Sequence, residues 1–255
     1  MARVAWLTFA PVKGLSLVEA ERIELTDTGL AENRRFFVVD ENGLMINAKR
    51  VGGLLAVRPT YDSVAETLAL EFPDGVRVEG RVETDGRVET DFFGRPLAGC
   101  TVRGPWSEAL STHAGTSLRL VRSEESGGGV DRGTRAAVTL LSTASLEELA
   151  AVAGVDEVDP RRFRMLVGID GIGAHEEDEW LGRRVRIGGA VVVPRGTVGR
   201  CAVTTRDPDT GERTLDTLAA LASYRPDGTE PLPFGVWGEV EEPGAVALGD
   251  PVEPL

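Results

Sequence analysis

The stretch TLALEFPDGVRVEGRV, residues 67–82, contains two runs of strand-forming residues joined by Pro73-Asp74-Gly75. Apolar residues that alternate with polar ones favour a strand, and Pro-Asp-Gly favours a tight turn. The stretch therefore predicts two neighbouring strands, 67–72 and 76–82. Further strand candidates are 4–9, 20–25, 35–40 and 87–92, with Asp85-Gly86 as another turn. Short strands at this spacing predict a barrel or sandwich, and hence a mostly antiparallel β domain in the first half.

The segment Ser123–Gly129 is rich in glycine and charge, which favours a solvated loop, and we place the domain boundary there. The two predicted domains are 1–122 and 123–255. Helices are expected at 145–153, where Ser145 and Glu148 fit a capping box, and at 215–224. Strands of the second domain are expected at 136–141, 163–169, 184–187, 190–193, 201–205, 234–240 and 245–252. Without βαβ alternation, this half is predicted to be a second β barrel with a few helices.

Charge and composition exclude several classes of function. The chain of 255 residues carries a net charge of −13, and such a surface repels nucleic-acid backbones and anionic membranes. We therefore expect neither nucleic acid nor a membrane as partner. The start of the chain lacks a signal-peptide pattern, and two cysteines are too few for a secreted disulfide scaffold. These features predict a cytoplasmic protein.

Cys201 is a candidate reactive residue, because Arg200 beside it would stabilise the thiolate that attacks or binds metal. From the residues alone, a buried structural cysteine next to a surface arginine is the more common interpretation. His113 and His175 have no partner at metal-ligand spacing, so zinc and Ser-His-Asp chemistry are disfavoured.

Several separated motifs favour a reactive Cys201 over a buried structural cysteine. Their common order along the chain is more specific than any one motif. They are Ala10-Pro11-Val12-Lys13-Gly14, Asn33–Asp40, Arg162-Phe163-Arg164, Glu177–Gly182, Arg200-Cys201, Asp207–Gly211, Phe234-Gly235 and Gly249–Val252. Together they resemble MOSC domain proteins with an N-terminal MOSC-associated β-barrel domain, the group that includes the mitochondrial amidoxime reducing component. The resemblance implies a mainly β fold with a few helices and two β-barrel-like domains.

The resemblance also implies a cofactor and its ligands. Cys201 would be the catalytic residue and would bind the metal of a molybdenum cofactor (molybdopterin). Lys13, Arg35, Arg164 and Arg200 would hold that cofactor, because a buried phosphate in an acidic protein needs several local cations. Arg34 is expected to be a surface charge or part of a structural ion pair.

Two positions depart from the family pattern. Leu166 stands where many relatives have asparagine, so an amide contact to the cofactor is missing there. The loop Asp131–Ala137 lacks the expected acidic segment, and Asp131 or Thr134 is left as a candidate substitute.

The resemblance implies an oxidoreductase that reduces N-hydroxylated small molecules with electrons from a separate donor protein. Three alternatives stay open. One is a sulfur carrier that holds a persulfide on Cys201, and another is a cofactor-binding module without redox turnover. The third, which Leu166 favours, is a two-barrel binding protein that has lost the cofactor.

Overall fold

The computed structural model describes residues 1–92, 94–124, 137–225 and 230–255. The strands are β1 (Arg3–Phe9), β2 (Val18–Glu19), β3 (Arg22–Leu25), β4 (Phe36–Asp40), β5 (Met45–Ile46), β6 (Arg58–Asp62), β7 (Thr67–Glu71), β8 (Arg77–Arg81), β9 (Glu83–Phe92), β10 (Arg95–Arg103), β11 (Leu118–Ser123), β12 (Val138–Ser142), β13 (Val167–Asp170), β14 (Val185–Ile187), β15 (Ala190–Gly199), β16 (Pro233–Glu242), β17 (Gly244–Ala247) and β18 (Val252–Pro254). The α-helices are α1 (Trp106–Ala114), α2 (Thr143–Ala153) and α3 (Thr217–Tyr224). Short 3-10 helices span Gly52–Ala56, Pro160–Phe163, Glu176–Trp180 and Ala202–Thr205. The mainly β class is confirmed.

The predicted hairpin at residues 67–82 is present. Strands β7 and β8 pair antiparallel from Thr67 opposite Arg81 to Glu71 opposite Arg77. They belong to a three-stranded sheet, β6-β7-β8, beside a five-stranded sheet of order β5-β4-β11-β10-β9. Leu68 and Leu70 are fully buried and pack in the same core as Phe36, because alternate residues of a strand face the same side.

The largest sheet joins the two ends of the chain. Its order is β18-β14-β15-β16-β12-β13-β1-β2, so strands from the first 19 residues complete a sheet of the second half. Strand β1 pairs antiparallel with β13, and β3 pairs with β17. The domain boundary near residue 123 stays a prediction, since residues 125–136 lie outside the described ranges.

Four local predictions were wrong. The single strand expected at 245–252 is interrupted after Ala247, so that β17 and β18 are separate strands. The Asp85-Gly86 turn is part of β9, where a register shift opposite Cys100 and Thr101 accommodates Gly86 at φ +51°. Segment 201–205 is a 3-10 helix rather than a strand, because the backbone N–H of Thr204 bonds the carbonyl of Cys201. A strand at 163–169 was also expected, but Phe163 ends a 3-10 helix and β13 begins only at Val167.

Helix α2 begins earlier than the capping box predicts. The cap is Ser142, whose hydroxyl accepts the N–H of Ser145. Strands β12 and β13, on either side of this helix, pair parallel and form a βαβ unit that the sequence did not indicate. Among the described residues no helix has the length and apolarity needed to cross a membrane.

The two halves of the chain are also in contact through backbone groups at Lys49, Gly52 and Gly211. Arg206 donates to the carbonyls of Gly211 at 2.6 Å and Lys49 at 3.2 Å. A Cβ on Gly52 would lie 2.4 Å from the Gly211 oxygen, so only glycine fits this contact. Segment 206–211 is therefore fixed against the first half, and a cavity lies beside this contact.

Candidate functional site

A cavity of about 440 Å³ opens where the two halves meet. Its wall from the first half includes Lys13, Arg34, Lys49 and Phe92. The wall from the second half runs from Ala137 through residues 162–166 to residues 198–204. Residues from distant parts of the sequence thus face one space of the size typical for a small-molecule site.

Cys201 lines this cavity with an exposed side chain. It directly follows Gly199-Arg200 at the end of β15 and precedes the 3-10 helix Ala202–Thr205. The Thr204 hydroxyl donates to the Cys201 carbonyl at 3.1 Å and contacts the Thr217 hydroxyl on α3 at 2.6 Å. The backbone is fixed while the thiol stays accessible, which rules out the buried structural cysteine.

Arg200 lies in the same cavity wall and is held by the protein backbone. Its guanidinium donates to the carbonyl of Phe163 at 2.9 Å, to the carbonyl of Phe234 and to the Met165 sulfur at 3.0 Å. It also lies over the rings of Phe163 and Phe234. These contacts fix the strand end that carries Cys201. The role of Arg200 as a direct cofactor ligand stays a prediction.

Lys13, Arg34 and Arg164 form a cluster of cations, which we call the cation cluster. The Nη2 of Arg34 lies 3.4 Å from the Arg164 carbonyl, and Arg164 donates to the Leu15 carbonyl at 2.8 Å. The Nζ of Lys13 lies 4.4 Å from the centre of the Phe92 ring. Lys13 and Arg164 are two of the predicted cofactor ligands, and the structure brings them together.

Burial lowers the pKa values of the whole cation cluster, and repulsion between like charges adds to the shifts of Lys13 and Arg34. Burial, followed by repulsion from Arg34 and Arg164, lowers the pKa of Lys13 well below its usual value. The pKa of Arg34 falls to about 9 through burial and the charge of Arg164, and burial lowers the pKa of Arg164 to about 10. Arg34 and Arg164 also have left-handed backbones, at φ +53° and +56°. Strain and like charges in one place are typical of a site shaped for a ligand, here an anion.

Arg35 points elsewhere. It does not line the cavity, and its Nη1 donates to the Ser123 carbonyl at 3.0 Å. Its neighbour Arg34, which we expected to be a surface charge or part of a structural ion pair, lines the cavity. Two adjacent arginines in one motif give no sequence signal for which of them turns inward.

The charge of the lining is opposite to that of the whole chain. The basic residues in the described lining are Lys13, Arg34, Lys49, Arg162, Arg164 and Arg200, and no aspartate or glutamate accompanies them. The chain as a whole carries a net charge of −13. The cavity therefore attracts an anionic ligand at short range against the field of the surface.

Leu166 lines the cavity where the family pattern has asparagine, and it is 2% exposed within the main core. Its backbone N–H donates to the hydroxyl of Thr139 at 2.8 Å. Thr139 also lines the cavity, and it was not among the predicted site residues. Asp131 and Thr134, the candidates from the loop 131–137, lie outside the described residues.

The donor set fits the cofactor that the resemblance implies. A soft thiolate suits molybdenum, and clustered guanidinium groups suit a phosphate. At Leu166 one amide contact is missing, but the cation cluster and Cys201 are both present in one cavity. Among the described residues, no group of three His, Cys, Asp or Glu side chains is arranged to hold a metal by itself.

Similarity to known proteins covers both halves. The family model described as MOSC N-terminal beta barrel domain matches residues 1–104, and that described as MOSC domain matches residues 125–253. Mitochondrial amidoxime reducing component 2 of Macaca fascicularis is 27% identical, over 98% of this chain and 82% of its own length. Mitochondrial amidoxime-reducing component 1 of Xenopus laevis is 28% identical, over 98% and 81%. Molybdenum cofactor sulfurase of Drosophila erecta is 28% identical over 78% of this chain, but over only 26% of its own length.

Proposed function

The chain belongs to the MOSC domain family, and on that premise we propose that it is a molybdenum-cofactor-dependent oxidoreductase. Its substrate is an N-hydroxylated small molecule, and its electrons come from a separate donor protein. The names of the relatives support this substrate class, since two of them are amidoxime reducing components that match nearly all of this chain.

One observation carries the proposal. An accessible thiol and a cluster of three cations line the same cavity, although they come from both halves of the chain. A phosphate-bearing metal cofactor needs these two features together, a soft ligand for the metal and positive charge for the phosphate.

Each part of the site has a defined task. Cys201 binds the metal, while Lys13, Arg34 and Arg164 bind the phosphate. Arg200 holds the end of β15, so that the Cys201 thiol keeps its position. When bound, the molybdenum cofactor supplies the two-electron chemistry, and the reduction consumes two protons and releases water. The resemblance implies Arg35 as a further ligand, but our proposal assigns the phosphate to Arg34 instead, because Arg35 does not line the cavity. The cytoplasm stays the predicted compartment.

Metal analysis of paired variants tests the proposal. Protein from a host that makes the cofactor should contain about one molybdenum per chain. Cys201→Ser should lose the metal and the reduction of benzamidoxime by a chemical electron donor. Cys100→Ser is the matched control, because Cys100 is the other cysteine of the chain and does not line the cavity. Equal metal content in both variants would contradict the role of Cys201.

A sulfur carrier is the second candidate function. The exposed Cys201 thiol and the similarity to a molybdenum cofactor sulfurase favour it. In this case the wild type should carry cyanide-labile sulfur that Cys201→Ser lacks, and it should contain no molybdenum. Absence of both metal and labile sulfur would favour a two-barrel binding protein that has lost the cofactor.

A further inference from the structure

The basic residues of the cavity form two groups. In the cation cluster, the charges of Arg34 and Arg164 lower the pKa of Lys13, and the charge of Arg164 lowers that of Arg34. Arg162 has different surroundings. Burial lowers its pKa, and the negative charges of Asp207 and Asp159 raise it. The cavity thus has a second cationic position outside the cation cluster.

Arg162 is nearly buried, with 9% of its side chain exposed. Its Nη2 donates to the Thr214 hydroxyl at 2.7 Å, and the Asp207 carboxylate is 3.9 Å away, beyond hydrogen-bond distance. Its Nη1 is buried and has no hydrogen-bond partner among the described residues. A buried, unpartnered guanidinium nitrogen on a cavity-lining residue indicates a missing anionic partner.

Lys49 completes this second position from the opposite wall. Its side chain is exposed and forms no ion pair with any described residue, although it lines the cavity. Its carbonyl accepts from Arg206, the residue before Asp207, so Lys49 and Arg162 both adjoin the segment that follows Cys201. We call Lys49 and Arg162 the second cation pair.

We infer that the second cation pair binds an anionic group of the substrate, a carboxylate or a similar oxyanion. One cofactor phosphate carries at most two negative charges, and the three residues of the cation cluster already balance it. Asp207 opposes the charge of Arg162 without hydrogen-bonding to it, and the Nη1 of Arg162 has no hydrogen-bond partner among the described residues. With Lys49 as a second cation and no acidic residue in the described lining, the cavity offers a site for a second anion. This inference rests on the proposed function and names its substrate class: N-hydroxylated compounds that also carry a negative charge.

Calorimetry with unreactive analogues tests this without turnover. Cofactor-loaded wild type should bind 4-carboxybenzamide at least about tenfold more tightly than benzamide, as charge-assisted hydrogen bonds allow. Arg162→Gln and Lys49→Met should remove this preference. Lys49→Met alters an exposed side chain, so it keeps the test decisive if Arg162→Gln fails to fold. Arg161→Gln is the matched control, because Arg161 is paired with Asp159 and Asp209 and does not line the cavity. Equal binding of both analogues to the wild type would overturn the inference.

Turnover separates this inference from the proposed function. Benzamidoxime with a carboxylate at its para position should have a KM about tenfold below that of benzamidoxime itself, and the difference should vanish in both variants. A preference for the carboxylate in calorimetry without reduction of either compound would refute the proposed function and keep the anion site. A nucleotide released in stoichiometric amounts from the wild type, but not from the two variants, would show that the cofactor carries a second phosphate as part of a nucleotide. The second cation pair would then bind that phosphate, and the substrate assignment would be overturned.

Discussion

The cation cluster and a second group of buried and half-buried ionisable residues differ in what surrounds them. The second group, which we call the Glu177 cluster, comprises His175, Glu177, Asp178 and Tyr224. The Glu177 carboxylate is fully buried, and its Oε1 accepts from the Ser142 N–H at 3.2 Å and the Ser145 hydroxyl at 3.3 Å. Its Oε2 has no partner among the described residues.

Three members of the Glu177 cluster have shifted pKa values, as the cation cluster has. Burial raises the pKa of Glu177 to about 7, and burial with the nearby charge of Arg225 lowers the pKa of His175 to about 4. Burial also raises the pKa of Tyr224 to about 12. None of these residues lines the 440 Å³ cavity.

The difference teaches that a perturbed pKa does not by itself mark a functional site. The cation cluster combines it with a cavity and with a nucleophilic thiol. The Glu177 cluster lies where the 3-10 helix Glu176–Trp180 packs against the start of α2 and the end of α3. We therefore expect changes in the cation cluster to alter ligand binding and changes in the Glu177 cluster to alter stability.

The largest expected effect is on the cation cluster. Arg164→Gln and Arg34→Gln should each weaken cofactor retention about tenfold to hundredfold, because each removes a charge-assisted hydrogen bond. The thermal midpoint should not fall, since like-charge repulsion is relieved. Molybdenum content and thermal unfolding measure the two quantities. Arg35→Gln is the control that should retain the cofactor. If Arg35→Gln loses the cofactor and Arg34→Gln retains it, Arg35 is the ligand, as the resemblance implies.

The next effect concerns the pH dependence of stability. Because the pKa of Glu177 is raised by folding, its protonated form favours the folded state, and stability is lost as pH rises from about 4.5 to above 7. The loss is roughly 3 kcal/mol, because the pKa differs by about 2.5 between the unfolded and the folded state. Glu177→Gln mimics the protonated acid, so it should be more stable than wild type at pH 8 and nearly equal at pH 4. Urea unfolding at both pH values tests this. If the free energies of unfolding of the variant and the wild type differ by the same amount at pH 4 and pH 8, the prediction is wrong.

The smallest effect should come from Tyr224. Its hydroxyl is buried without a partner among the described residues. Tyr224→Phe removes the cost of that unpaired group and should stabilise the protein by up to about 1 kcal/mol, without changing cofactor content. Destabilisation measured by urea unfolding would show that the hydroxyl is satisfied in solution, for example by a buried water.

Most strands could be predicted from local pattern. The hairpin at 67–82, strands β1 and β4 and the end of α2 at Gly154 follow from alternation and from glycine at a left-handed position. The failures lie where local signals were ambiguous. An Asp-Gly pair suggested a turn at residue 86 but forms a bulge within β9, and β-branched residues after Cys201 suggested a strand but form a 3-10 helix.

The site was predictable only in part. Cys201, Lys13 and Arg164 came from motifs, and all three line the cavity. Arg34 and Lys49 were missed, because side-chain direction depends on backbone angles and on which segments meet. The unpaired Nη1 of Arg162 could be recognised only once burial was known.

The sequence by itself determined the mainly β class, the family and the cysteine, because alternation, turns and ordered motifs are local properties of the chain. The tertiary structure decided which cations meet. The first strands join the sheet of the second half, and segment 206–211 packs on Gly52, so residues far apart in sequence surround one cavity. Electrostatic clustering depends on distances in space, and those distances exist only in the folded chain.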